Sequence, residues 1–504
     1  MSDAKSIGTR SIGAVFWGAG GAVFRILLQF GSQVVLARIL GPEQYGLFAI
    51  GAVVVSFSGF FSDIGIAYGL IQKKSVSAQD LRFVLTWQVI LGVTVTTAII
   101  LAARPIAGFF GDEHATGIVQ ALAVVCLLNA LAAPSLNLLK RELDFRRIQL
   151  AQIASFIIGY ILVGIPLALA GVQVWALVAA WLIQSTLVLL MLYVATRHPI
   201  KPLFWYDEAK SVSSFGLTVL LTNLVNWVVN NIDRVIVGHV FASRQMGLYA
   251  TTFNMLYTPT TSLLGVVQPV FFSASARVAD NQPRIAEGYR ALIGAVAVFV
   301  LPVFVCVSAI SETFVLALYG PKWHDAAVIF QPLALAMPLF LIWGLTTPLL
   351  WNGGFAGREF RVQLPVALVW IAACWFAAQH SVVLVAWVVF GLFFLRCLVI
   401  IGTAVRLLEL EVKSLWAAVR GGFVLSFALA LAVWTVDASL PGLVPWLRLA
   451  ADALCGLLCL LAALRFFPGV AGEDLAALLG RILGRCPPAI AAQFAFFNTQ
   501  GGKP

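Results

Sequence analysis

The sequence predicts an all-α polytopic membrane protein with about fourteen transmembrane helices, arranged as two six-helix lobes and two extra C-terminal helices. Three observations carry that prediction. Of 504 residues, 61% are hydrophobic and only 11% charged, whereas a soluble domain carries about 25% charged residues. Apolar runs recur at the length of about 20 residues that a helix needs to span the hydrocarbon core; residues 82–103 and 382–405 are two of them. Short sequence echoes also recur at matching places in the two halves.

In chain order the expected helices cover 12–37, 45–71, 82–103, 116–139, 146–170, 174–195, 212–239, 247–272, 286–309, 325–352, 361–379, 382–405, 414–436 and 446–467. The fifth and sixth form a hairpin around Gly171, and the eleventh and twelfth join at Gln379-His380-Ser381. The longest connection, 196–211, is too short to fold as a domain. The tail from 468 to 504 holds one expected helix from Glu473 to Leu483, followed by Pro487-Pro488. Lys5 and Arg10 precede the first apolar stretch, which is too long for a signal peptide and reads as the first membrane helix.

The net charge of +10 would suggest nucleic acid in a soluble protein, but here the loops account for it. With the N-terminus in the cytoplasm, twenty-four of the 32 Lys and Arg fall in cytoplasmic tails and loops, Lys73, Lys74, Lys140, Arg141, Arg146 and Arg147 among them. Five fall on the other side (Arg38, Arg104, Arg244, Lys322 and Arg448), and Arg25, Arg234 and Arg396 lie inside helices. Short loops rich in Lys and Arg stay in the cytoplasm, so both termini are expected there, in a bacterial inner membrane. One missed or extra helix would invert every later loop, so the bias supports an even count. Six of the seven Cys sit in apolar runs and none forms a CxxC, so no disulfide framework, metal site or cofactor is expected.

Gln44-Tyr45-Gly46-Leu47-Phe48 opens the second helix and Gln245-Met246-Gly247-Leu248-Tyr249 opens the eighth, an offset of 201 residues. Phe109-Phe110-Gly111 is echoed by Leu318-Tyr319-Gly320, and Asp144-Phe145-Arg146 by Glu359-Phe360-Arg361. Six helices return the chain to its starting side, so the halves are parallel repeats. The expected division is an N-lobe at 1–200, a C-lobe at 201–410, helices thirteen and fourteen at 411–468, and a cytoplasmic tail at 469–504. Transporters built from such repeats place substrate at the repeat interface.

Charges within the bilayer are costly and usually face the bundle interior. Arg25, Gln29, Ser32 and Gln33 form one stripe on the first helix, with Arg25 about midway along. Asn223, Asn226, Asn230, Asp233 and Arg234 form a second stripe on the seventh, flanked by Trp227 and Asn231. The two helices are repeat equivalents, and their polar faces are expected to meet. A central cation in an aqueous cavity suits an anionic substrate such as a phosphate. Alternative roles stay open for each remaining charge. Asp233 and Arg234 could line the cavity or satisfy local partners. Arg396 could line it or pair within its own lobe. Asp63 could pair with Arg25, cap its helix, or bridge to Lys73 or Lys74. Gln152 and other membrane amides read as helix–helix hydrogen bonds. Trp343 reads as core packing or a sugar-stacking ring.

The sequence lacks a Walker A pattern, and Gly18-Ala19-Gly20-Gly21 follows no strand, so it is a helix contact and not a phosphate loop. Its loops are too short for a nucleotide-sugar glycosyltransferase domain or the large loop of a polymerase. Against that background Ala37-Arg38-Ile39-Leu40-Gly41-Pro42-Glu43-Gln44-Tyr45-Gly46-Leu47, Phe61-Ser62-Asp63-Ile64-Gly65 and Leu70-Ile71-Gln72-Lys73-Lys74 resemble the polysaccharide-transporter family, bacterial flippases of lipid-linked oligosaccharides. So do Lys140-Arg141-Glu142-Leu143-Asp144-Phe145 and Asn231-Ile232-Asp233-Arg234 followed by Gly247-Leu248-Tyr249. The resemblance spans about residues 10–410 and belongs to the multidrug/oligosaccharidyl-lipid/polysaccharide superfamily.

The resemblance implies two lobes around a central cavity, alternating access, and drive by an ion gradient or membrane potential. It implies an undecaprenyl-diphosphate-linked oligosaccharide as substrate, moved to the periplasmic leaflet for exopolysaccharide, lipopolysaccharide or other surface polymer. Partners would be membrane lipid and the polymerase and export proteins of the same route, with no nucleic acid. The protein would be a transporter and not an enzyme. An ion-coupled drug or metabolite antiporter of the same superfamily is the alternative, but a cation-binding cavity would call for carboxylates. A membrane glycosyl-transfer enzyme would need an acidic or metal constellation, and the outer loops offer only sparse acids such as Asp112, Glu113, Glu312 and Asp325.

Overall fold

A computed structural model describes residues 2–62, 70, 76–207, 216–277, 281–352 and 356–483. No strand occurs among the described residues. The long helices are α1 (Ser2–Leu40), α2 (Pro42–Ser62), α3 (Ala78–Phe109), α4 (Ala115–Arg141), α5 (Phe145–Leu169), α6 (Trp175–Thr196) and α7 (Gly216–Val240). They continue as α8 (Ser243–Arg277), α9 (Gln282–Ala309), α10 (Ala326–Asn352), α11 (Ala356–Ala378), α12 (Val382–Leu407), α13 (Val412–Ser439) and α14 (Pro445–Phe466). A short helix, Ser311–Tyr319, precedes α10, and α15 (Glu473–Leu483) closes the described chain with the bounds expected from sequence.

Ten helices among the described residues are long and apolar enough to cross a membrane. Their outer surface is apolar too: Leu101, Phe427 and Phe466 are 77%, 74% and 75% exposed. Large apolar surface of this kind would drive aggregation in water and is at home in lipid. The chain is therefore a multi-pass membrane protein.

Local chemistry sets the helix ends. Ser77 and Asp80 form a reciprocal capping box, with Asp80 N–H donating to Ser77 Oγ (3.2 Å) and Ser77 N–H to Asp80 Oδ2 (2.7 Å). That box starts α3 four residues before the expected 82. Asp144 and Asn281 cap α5 and α9 through the N–H groups of Arg147 and Arg284, each at 3.1 Å. α5 widens to π geometry over Ile157–Gly164 just before Pro166, and α9 does so over Val296–Val300 just before Pro302. Each proline lacks the N–H of a regular turn, and the wider turn accommodates that loss.

The chain forms two compact units. Unit 1 comprises residues 1–251 and 363–382; unit 2 comprises 252–362 and 383–504. In unit 1, α4 packs against α2, α3 and α6, α1 packs against α5, and α7 packs against α2. One end of this unit gathers the α1–α2 turn, the end of α3, the start of α6, the α7–α8 turn and Trp375 near the end of α11. The opposite end gathers Leu70, the start of α3, the end of α4 and the chain following α6. In unit 2, α13 lies against α9 and α14, and α10 against α9. α15 is tied to α9 by Arg290, whose Nε and Nη2 reach Asp474 Oδ2 and Oδ1 at 2.7 and 3.2 Å.

Candidate functional site

Arg25 lies fifteen residues, about 23 Å of helix, from the Leu40 end of α1. Its Nη1 donates a short hydrogen bond to Gln152 Oε1 on α5. Its Nε has no partner among the described residues. A neutral amide can orient a guanidinium without neutralising it, and no acid pairs with Arg25 among the described residues. Gln29, one turn on, is half-buried, and its backbone carbonyl accepts from Ser32 Oγ at 3.0 Å. Asp63 lies outside the described residues, as does the side chain of Asn223.

The α7 stripe is organised along its own helix. Asn230 Nδ2 donates to the Asn226 carbonyl (2.8 Å), and Arg234 Nη2 to the Asn230 carbonyl (2.6 Å). The side-chain oxygens of Asn226 and Asn230 accept no hydrogen bond among the described residues. They remain acceptors of the type a hydroxylated ligand uses. Asp233 is 2% exposed and accepts from Tyr249 OH at 2.7 Å, so it ties α7 to the start of α8.

The described contacts lay α7 on α2, through Trp227 Nε1 donating to Ser56 Oγ (3.0 Å) and a Phe57–Trp227 ring contact at 4.8 Å, and lay α1 on α5.

One end of unit 1 is tightly closed, and the repeat closes it. A Cβ at Gly46 would sit 1.7 Å from the Ser243 carbonyl oxygen, and one at Gly247 would sit 1.7 Å from that of Pro42. Gly46 and Gly247, like Pro42 and Ser243, are 201 residues apart. The two echoes therefore touch one another across a local twofold relation, backbone on backbone. Around them, Ser243 Oγ donates a short hydrogen bond to Asp112, and His239 stacks on Phe109 (4.2 Å) and Trp375 (5.8 Å).

Arg396 belongs to unit 2. It is 5% exposed, and its guanidinium carbon lies 3.5 Å over the Trp343 ring. Phe340 contacts both Trp343 and Phe393 at 5.8 Å. This is a cation–π pair in an aromatic nest, within Arg396's own unit. Sequence reasoning considered Trp343 and Arg396 separately and missed their pairing. It also missed Tyr249 as the partner of Asp233, although Tyr249 stands in the strongest echo. Among the described residues no group of His, Cys, Asp and Glu could hold a metal ion.

Together these features define a multi-pass helical membrane protein. Residues 35–328 match the family described as "Polysaccharide biosynthesis protein", and the chain belongs to that family. It is similar to the lipopolysaccharide biosynthesis protein WzxC of Escherichia coli (strain K12), 22% identical over 65% of this chain and 66% of that one, just under two thirds of its length. Its fold resembles that of the lipid II flippase MurJ in an inward closed conformation, with TM-score 0.70 and 14% identity over 89% of this chain and 98% of that one. An inward-facing multidrug resistance MATE family transporter gives TM-score 0.55 and 14% identity over 76% and 95%.

Proposed function

We propose that the protein is a flippase that carries an undecaprenyl-diphosphate-linked oligosaccharide from the cytoplasmic to the periplasmic leaflet of a bacterial inner membrane. The flipped units feed exopolysaccharide, lipopolysaccharide or other surface-polysaccharide assembly. Helices α1 to α14 all cross the bilayer, with both termini cytoplasmic, as the distribution of Lys and Arg supports. The repeat supports lobes at 1–200 and 201–410 that expose one site to each side in turn, with 411–468 as an added helix pair. No covalent chemistry is required of the chain. Polymerase and export proteins would receive the product.

The single observation that carries the substrate class is the guanidinium of Arg25, held by an amide and paired with no acid among the described residues. A diphosphate needs such a cation, and the amide oxygens of Asn226 and Asn230 on α7, which accept no hydrogen bond among the described residues, suit sugar hydroxyls. Arg234, and Asp63 and Asn223 on the same expected faces, extend the site; Asp233 positions α7, and Arg396 steadies its own unit. In this orientation the Gly46–Gly247 crossing is periplasmic. A drug antiporter shares the fold, but an arginine at the centre of α1 disfavours cationic drugs.

The test is complementation. Loss of the gene should stop polymer export and strand lipid-linked oligosaccharide on the cytoplasmic leaflet. Wild-type protein should restore export, and Arg25→Ala, expressed and inserted at the wild-type level, should not. Unchanged polymer on deletion, with altered drug susceptibility instead, would overturn the proposal.

A further inference from the structure

Residues 197–207 join α6 to the chain leading into α7. Arg197 adopts a left-handed backbone (φ 45°) and turns the chain sharply off α6. From there the segment is strapped along the first turns of α3. Arg82 Nε and Nη2 donate to the carbonyls of Lys201 (2.9 Å) and Pro202 (3.1 Å). Leu203 N–H donates to Thr86 Oγ1 (2.8 Å), and Trp87 Nε1 to the Phe204 carbonyl (3.1 Å). Tyr206 OH donates a short hydrogen bond to Asp80. Leu203 and Tyr206 pack inward against Leu70, Leu81, Phe83 and Val84.

The outward face is the reverse of what a water-facing loop presents. Ile200, Phe204 and Trp205 are 63%, 63% and 64% exposed, while four consecutive residues, 201–204, each spend a backbone group on α3. Pro199 and Pro202 carry no N–H at all. Satisfying backbone internally while presenting apolar side chains is what a lipid environment demands. A loop in water gains little from it.

Depth agrees. The 32 residues of α3 rise about 48 Å at about 1.5 Å per residue, against a hydrocarbon core of about 30 Å. The surplus of about 18 Å is long enough for the turns holding the strap, Asp80 to Trp87, about 12 Å of helix, to stand in the headgroup layer. Aromatic rings with Lys and Arg are the residues that anchor proteins at that level, and Arg197 and Lys201 are both exposed here.

We propose that residues 197–207 are a membrane-interface anchor. Ile200, Phe204 and Trp205 seat in the headgroup and upper acyl layer, and Arg197 and Lys201 lie beside lipid phosphates. The strap then holds the chain between the repeats against the bilayer. This inference rests on the membrane class of the protein alone and is independent of the substrate it carries.

The test uses the full chain in nanodiscs of phosphatidylethanolamine and phosphatidylglycerol. A nitroxide at Phe204→Cys, in a chain whose native cysteines are replaced, should collide more with oxygen than with a nickel chelate, and one at the exposed Asp207→Cys should show the reverse. A second measurement needs no cysteine replacement. Brominated lipid should quench the wild type more than Trp205→Phe, by the share of one lipid-seated Trp. A nickel-accessible label at 204, or equal quenching of wild type and Trp205→Phe, would overturn the proposal.

Discussion

At the residue scale, the site turns on what each charge is given as a partner. Arg25 receives Gln152, a neutral acceptor; Arg396 receives the face of Trp343; Asp233 receives the hydroxyl of Tyr249. Arg396 and Asp233 are 5% and 2% exposed, whereas Arg25 is only half-buried and is the one of the three within reach of a ligand. Arg25→Lys should therefore retain part of the export that Arg25→Ala loses, because a lysine keeps the charge but not the planar fork that grips a diphosphate. Polymer yield normalised to membrane-inserted protein measures this; full activity of both variants would remove Arg25 from the site. Tyr249→Phe should lower the melting temperature in detergent, since stranding a buried acceptor costs about 1–3 kcal/mol, while leaving the substrate-facing groups of α7 in place. An unchanged melt would deny the Asp233–Tyr249 tie its structural role.

At the element scale, the α2–α8 crossing is the most constrained contact in unit 1. Overpacking a tight contact usually costs about 1–3 kcal/mol, and a methyl placed 1.7 Å from a carbonyl oxygen stands at the upper end of that range. Gly46→Ala and Gly247→Ala should each force the crossing apart, and by the twofold relation should do so to a similar degree. Cysteine labelling by a membrane-impermeant reagent next to the crossing should rise in both variants. Equal labelling in wild type and variants would mean that the crossing does not close that end.

Much at this scale was legible in sequence. The expected apolar runs fall on described helices in the same order, ten of them long and apolar enough to cross a membrane, and α15 has the bounds expected for the tail helix. The echoes around Gly46 and Gly247 were visible as a repeat. That the two glycines touch was not, because a repeat gives equivalence without proximity. Partners such as Gln152, Trp343 and Ser56 were hidden for a related reason. When nearly every helix position is apolar, periodicity marks a polar stripe but does not fix the rotation of its neighbour. The strap was read only as too short for a domain, since its hydrogen bonds run to residues well over one hundred positions away.

At the scale of the whole molecule, an apolar exterior, a repeat that meets itself at one end, and a cation held by a neutral amide fit a carrier of a large anionic headgroup better than a pump for small cations. Family membership places the chain in polysaccharide biosynthesis; the arginine is what motivates the proposal of a phosphate-linked cargo. The most direct test reconstitutes the purified protein into liposomes bearing a fluorescent undecaprenyl-diphosphate-linked oligosaccharide on both leaflets. A membrane-impermeant quencher reaches only the outer leaflet in protein-free vesicles and leaves the inner pool bright. The account predicts that wild-type protein exposes the inner pool to the quencher, and that Arg25→Ala protein leaves it protected. Protection by the wild type equal to that of protein-free vesicles, under an imposed ion gradient or membrane potential as well as without one, would contradict it.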